Sequence, residues 1–382
     1  MDLSFNIFFP GKLVFGNGKL SLLTADVLAL NPQRVFIPTI EPLQQTIAPF
    51  IDELKKAGIE VLTDISIVAE PSFSDFEKLM EKVTPFNPDI VIGIGGGSVL
   101  DIAKLVAAQL DNEQSLRDYV GIGLLKGRTK KLICVPATSG TGSEVSPNAI
   151  LVDDADNQKK GIISPFLVPD IVYVDPRLTV TVPPAITAAT GMDALTHCLE
   201  AYTNKFSKPF IDLFAFEGMR LIAANIEKAV KKGSDIQARE KVALGSLYGG
   251  FCLGPVNTAG VHALSYPLGS MYHLAHGLSN AVLLPWVMEY NMMTVPHRYA
   301  DVAEALGCER STDALATARS GVEKIRELNA ACGIPKNLRE VGVKEETIPQ
   351  MAAEAMKIQR LLKNNPRTIS EQDAIGIFKS AY

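Results

Sequence analysis

The chain has 382 residues, 47% of them hydrophobic and 21% charged, with a net charge of −5. That length exceeds what one hydrophobic core usually organises, so two domains with a cleft between them are expected. The acidic balance offers nothing to a nucleic-acid backbone or an anionic membrane surface, which leaves small molecules as the expected partners.

The opening run MDLSFNIFFPGKLVFG lacks the basic start, continuous apolar core and small-residue cleavage site of a secretory signal. No window reaches the ~20 uninterrupted apolar residues that cross a bilayer. Cys134, Cys198, Cys252, Cys308 and Cys332 are widely spaced without a CxxC pair and read as reduced thiols. A cytoplasmic protein without a membrane partner is the expectation.

From Arg34 the sequence alternates short β-rich runs (34–38, 59–63, 89–94) with amphipathic stretches (42–57, 74–83). This alternation implies a mostly parallel, Rossmann-like sheet. Apolar runs at 131–135, 150–152 and 171–174 are expected to extend it. Beyond Asp175-Pro176 the texture changes, and Pro176, Pro183 and Pro184 mark the boundary because prolines remove donors and restrict their neighbours. Helical periodicity then dominates, at 185–202, 209–231, 236–251 and 312–331. The expected architecture is an α/β dinucleotide-binding domain over residues 1–180, followed by an all-helical metal-binding domain over 181–382.

Within the first half, the apolar run 89–94 empties into Gly95, Gly96, Gly97 and Ser98, followed at once by a helical stretch. Glycines let a backbone approach a pyrophosphate closely, and unpaired amides at a helix start carry partial positive charge toward it. Ser98 is placed to cap the helix or donate to phosphate. A tight structural turn satisfies the glycine content equally well, and the pattern is not GxGxxG. A second segment favours the nucleotide: Thr138, Ser139, Gly140, Thr141 and Gly142 follow another strand and offer hydroxyls and amides to an extended ligand.

In the second half, Asp193 and His197 are four apart in a helical context, so both project from one face. His262, His273 and His276 follow, which places four of the five histidines between 197 and 276. Any one alone reads as a core or surface residue. One aspartate with three histidines makes a nitrogen-rich site suited to Fe(II) or Zn(II) and poor for Mg or Ca.

Taken in order, GGGSVLDIAK, GTGSE, GMDALTHCLEAY, GVHALSYPLG and HGLSNAVLLPWVMEYN resemble the iron-containing, group III alcohol dehydrogenases, whose fold is related to dehydroquinate synthase. The resemblance spans nearly the whole chain. It implies metal ligands Asp193, His197, His262 and His276, and pyrophosphate contacts at Gly95, Gly96, Gly97 and Ser98 with Asp101 nearby. Further cofactor contacts are implied at Thr138, Ser139, Thr141 and Lys160, and dimerisation with them. Lys160 reads equally as one of a solvated lysine pair, and Asp101 as a first-turn acid complementing the helix dipole.

Two departures stand out. Tyr266 occupies the position where many relatives carry a second histidine, so His273 becomes the candidate proton carrier. Ile40 stands where NAD-selective relatives often carry an aspartate, so NADP is admitted beside NAD. The expected activity is hydride transfer between NAD or NADP and a small alcohol or aldehyde, with the metal as Lewis acid on the substrate oxygen. A dehydroquinate-synthase-type lyase and a non-redox metallohydrolase remain as alternatives. The run 259–284 holds no lysine or arginine for a phosphorylated substrate, and a hydrolase leaves both glycine segments without a task. Leu253, Tyr266, Leu268, Phe166 and Trp286 are candidate pocket walls, equally good as core.

Overall fold

Among the described residues, nine strands occupy the stretch from Lys12 to Val174, and helices carry the chain onward from there. The structure, a computed structural model, describes residues 3–156 and 158–382, so the first two residues of the opening run read above lie outside the described residues. The strands are β1 (Lys12–Phe15), β2 (Arg34–Pro38), β3 (Glu60–Asp64), β4 (Ile90–Gly95), β5 (Gly121–Ile122), β6 (Lys131–Pro136), β7 (Asn148–Asp153), β8 (Gln158–Ile163) and β9 (Ile171–Val174).

Six of them form one parallel sheet in the order β1-β9-β6-β4-β2-β3. All six residues of β4 are buried, which is why it reads as a continuous apolar run instead of an alternating one. Side chains still alternate between faces: Ile90, Ile92 and Ile94 enter one core cluster and Val91 the other. Gly93 shares the face of Val91, and a Cβ there would meet the Cβ of Ala103 at 2.6 Å, so the helix Gly97–Gln109 lies against the strand only because that position is bare.

The run 150–152 does not extend this sheet. It lies in β7, which pairs antiparallel with β8 in a separate three-stranded sheet ordered β5-β8-β7. Asp153 faces Gln158 across the pair, and so short a connection permits a hairpin but no parallel crossover. The edge strand β1, only four residues long, joins the sheet ahead of the expected strands, so the glycine turn follows the fourth strand in chain order.

The helical part is built around a single large apolar cluster. Its central helix, Pro184–Thr203, is buried at 15 positions, so it is apolar nearly all round and not amphipathic. The expected helix 209–231 is two, Pro209–Ala223 and Ile226–Lys231. Asp235 and Asp313 cap the helices Ile236–Leu253 and Ala314–Ala331 by accepting from backbone amides of the first turn. The chain divides into two compact units: one of Phe8–Thr138 and Ser143–Thr179, the other of Ser139–Gly142 and Val180–Tyr382 with the N-terminal residues through Ile7. No helix among the described residues is long and apolar enough to cross a membrane.

Candidate metal centre and nucleotide cradle

Three helices converge on one carboxylate oxygen. Asp193 and His197 sit one turn apart on Pro184–Thr203, His262 lies in the first turn of Gly260–Tyr272, and His276 opens His276–Met292. From Asp193 Oδ1 the Nε2 atoms of His262, His197 and His276 stand at 3.5, 3.8 and 3.9 Å. Asp193, His262 and His276 each offer a donor atom within 4.8 Å of the others. The His197 and His262 rings stack at 4.8 Å between centroids. Three of the four side chains are 3–6% exposed, and His276 is 25% exposed, so its edge is the wet side of the cluster.

His262 and His197 are held from behind, through the ring nitrogen turned away from Asp193. Glu200 accepts hydrogen bonds from His262 Nδ1 at 2.6 Å and from the backbone N–H groups of Ala259 and Val261 at 2.9 and 2.6 Å. It thereby ties the start of one helix to the ligand on it and turns the His262 Nε2 lone pair inward. His197 Nδ1 lies 3.2 Å from the carbonyl oxygen of Gly140, which belongs to the second glycine segment. Asn280 Nδ2 donates to Asp193 Oδ1 at 2.7 Å and stands 3.1 and 3.3 Å from Nε2 of His262 and His276. One carboxylate oxygen and two imidazole nitrogens gathered round this single amide make a ligand set that fits a divalent cation.

The electrostatics agree with that fit. Burial opposes charge on Asp193, yet the imidazoles of His197, His276 and His262 hold its carboxyl well below the usual carboxylate range. Burial likewise opposes charge on His262, but the Glu200 carboxylate leads the interactions that push it up to about 10. His197 moves the other way, lowered by burial and by the neighbouring His262.

The glycine turn lies in the other unit. The helix starts at Gly97, with Gly96 as its N-cap at φ −75° and no side-chain cap. Ser98 therefore sits inside the first turn and does not cap it, which leaves the first amides open to an anion. A Cβ on Gly95 would meet Val99 at 2.8 Å, whereas one on Gly96 would meet only Thr138, at 3.6 Å. Asp101 is turned inward: it accepts from Ser143 Oγ at 2.5 Å and from the Ile150 N–H at 3.0 Å, fastening the far end of the second glycine segment. Beside it, Lys104 is fully buried and donates to the carbonyls of Ser146 and Asn148, while burial pushes Glu144 up to about 7. Ser139 and Thr141 belong with Gly140 to the helical unit. Lys160 lies on β8, ion-paired with Asp156.

His273 is exposed at the C-cap of Gly260–Tyr272 in left-handed conformation, φ 55°, and is not among the grouped metal donors. Of the proposed pocket walls, Leu268 is buried in the helical core cluster, Leu253 is buried but outside that cluster, and Phe166 is exposed. Trp286 lies under the Arg326 guanidinium at 4.7 Å. Tyr266 borders the cluster, its ring edge-on to His276 at 6.1 Å and its hydroxyl accepting from Arg360 at 2.8 Å.

Reading the sequence for metal ligands missed Glu200 and Asn280. Glu200 is seven residues beyond Asp193 on the same helical stripe, and Asn280 is four beyond His276, so spacing was the available signal.

Two family models match the chain: iron-containing alcohol dehydrogenase over residues 10–176, and the C-terminal part of the Fe-containing alcohol dehydrogenase family over residues 187–382. Long-chain-alcohol dehydrogenase 1 of Geobacillus thermodenitrificans is 38% identical over 98% of this chain and 96% of its own. The 1,3-propanediol dehydrogenase of Citrobacter freundii is 34% identical over 99% of both. Among solved structures, a 1,3-propanediol oxidoreductase superposes with a TM-score of 0.95 at 34% identity, covering 99% of this chain and all of the other.

Proposed function

Because the chain belongs to the iron-containing alcohol dehydrogenase family, and is an oxidoreductase of alcohols and aldehydes, we propose that Asp193, His197, His262 and His276 bind its divalent metal and that the turn at Gly95–Ser98 binds the cofactor pyrophosphate. The observation that carries this reading is the convergence of three imidazole nitrogens within 3.9 Å of one buried carboxylate oxygen. Those ligands would hold Fe(II), with Zn(II) as the alternative, which would supply Lewis acidity toward the substrate oxygen, and a nicotinamide cofactor held at the glycine turn would supply the hydride chemistry.

The chain's own residues do the rest. Asp193 brings the single negative charge of the ligand set, and Glu200 and the Gly140 carbonyl fix the rings of His262 and His197. Gly96 lets phosphate oxygens reach the open amides of Gly97 and Ser98. Thr138, Ser139 and Thr141 supply further polar contacts to the cofactor, with Lys160 as a cation at its periphery. Asp101, close to the glycine turn, holds Ser143 and the Ile150 amide of its own unit. His273, exposed three residues before His276, hands the alcohol proton to solvent.

Ile40, two residues beyond the end of β2, places no carboxylate against a 2′-phosphate, so NADP is accepted beside NAD. The substrate is a small alcohol or aldehyde, and the five free cysteines suit a cytoplasmic enzyme. Exposed Phe8 and Phe9 lead into the edge strand β1, which carries exposed Leu13 and among the described residues is paired on one side only, and this supports a homodimer. Metal analysis together with a panel of alcohols and aldehydes assayed with NAD and NADP tests the reading. Turnover undiminished after chelation would overturn it.

A further inference from the structure

The carboxamide of Asn280 is fully buried, and its nitrogen meets donor atoms on three different helices. Asn280 itself lies four residues after His276, so both project from one face of His276–Met292. Its other end is unusual: Oδ1 is buried and has no hydrogen-bond partner among the described residues. A purely structural asparagine would have that oxygen satisfied, because leaving it bare costs about 1–3 kcal/mol. The orientation of this side chain is therefore set by the ligand cluster alone.

We propose that Asn280 is a positioning residue of the metal site, a hydrogen-bond donor that fixes the Asp193 carboxylate and keeps the imidazole nitrogens converged so that the cation meets an assembled ligand set. Without it, Asp193 Oδ1 loses a donor at 2.7 Å and the Nε2 atoms of His262 and His276 lose the group that lies between them at 3.1 and 3.3 Å. When a cation takes the imidazole lone pairs, the donation to Asp193 Oδ1 is the contact that persists. The inference rests on the metal assignment proposed above and adds a residue that touches none of the reacting atoms.

The test uses Co(II) as the probe, read by its visible absorption bands, and thermal melting with and without the ion. Asn280→Leu keeps the bulk and removes the donor. It is expected to bind Co(II) 10–100-fold more weakly than the unsubstituted enzyme, with shifted bands, and to lose more melting temperature without the ion than with it. Unchanged affinity and bands, or equal losses in both states, would overturn the proposal. Asn280→Asp provides a second arm that does not require Asn280→Leu to fold: it sets a second carboxylate against Asp193, so the ion should raise its melting temperature more than it raises that of the unsubstituted enzyme. An equal or smaller rise overturns the proposal. Failure of the unsubstituted enzyme to bind Co(II) at all would instead defeat the metal assignment, so the two failures are distinguishable.

Discussion

Replacing Glu200 by glutamine exposes the logic of the site, because the change keeps shape and removes charge. The buried carboxylate accepts three N–H donors, from Ala259, Val261 and His262. A glutamine offers one oxygen and turns an NH2 group toward at least one of those donors. Hydrogen bonds to a charged acceptor contribute about 1.5–3 kcal/mol each, so losing one and weakening another destabilises the protein by about 3 kcal/mol. The effect on the metal follows from charge: a carboxylate that favours a proton on His262 favours a divalent ion there more strongly, since the ion carries twice the charge. Removing such an outer partner typically costs 10–100-fold in metal affinity, or about 1.4–2.7 kcal/mol. Chelator competition measures the affinity and urea unfolding in chelator measures the stability. Glu200→Gln with unaltered metal affinity would refute the argument that Glu200 orients and charges the ligand.

Other consequences concern the nucleotide unit. Burial raises Glu144 from 4.5 to about 7, so its neutral form is favoured in the fold. That contribution is complete below pH 4.5 and is lost as the pH rises through about 7, a change of about 3 kcal/mol. Glu144→Gln should therefore flatten the stability profile and be the more stable protein at pH 8, as denaturant melts at pH 5 and pH 8 will show; parallel profiles would reject this. Gly96→Ala should melt normally, since its φ of −75° suits alanine and the nearest atom is 3.6 Å away, yet bind NAD at least about tenfold more weakly because the methyl stands where phosphate would come. Calorimetric titration giving an unchanged Kd would place the phosphate elsewhere. Gly95→Ala, with Val99 at 2.8 Å, should lose stability as well.

What the sequence made legible follows the strength of each physical signal. β4 and the helix Pro184–Thr203 stood out because burial on all sides leaves long apolar runs. The triplet 150–152 carried no such information: three apolar residues do not say which sheet they join, and only the short link to Gln158 dictates a hairpin. Asp193 and His197 could be paired by their spacing, whereas joining them to His262 and His276 needed the ordered motifs of a family. Glu200 and Asn280 stayed hidden because a glutamate or asparagine shows its purpose only through its partner, and the partner of Glu200 lies 62 residues away. Asp101 looked like a phosphate neighbour by position, and only the fold reveals that its oxygens are occupied by Ser143 and Ile150.

Anomalous X-ray scattering at the iron or zinc edge, from crystals grown with the ion, bears most directly on the central claim. The account predicts one peak, about 2.0–2.2 Å from an Asp193 carboxylate oxygen and from Nε2 of His197, His262 and His276. A peak held by other residues, or a fully active enzyme whose crystals show none, would contradict it.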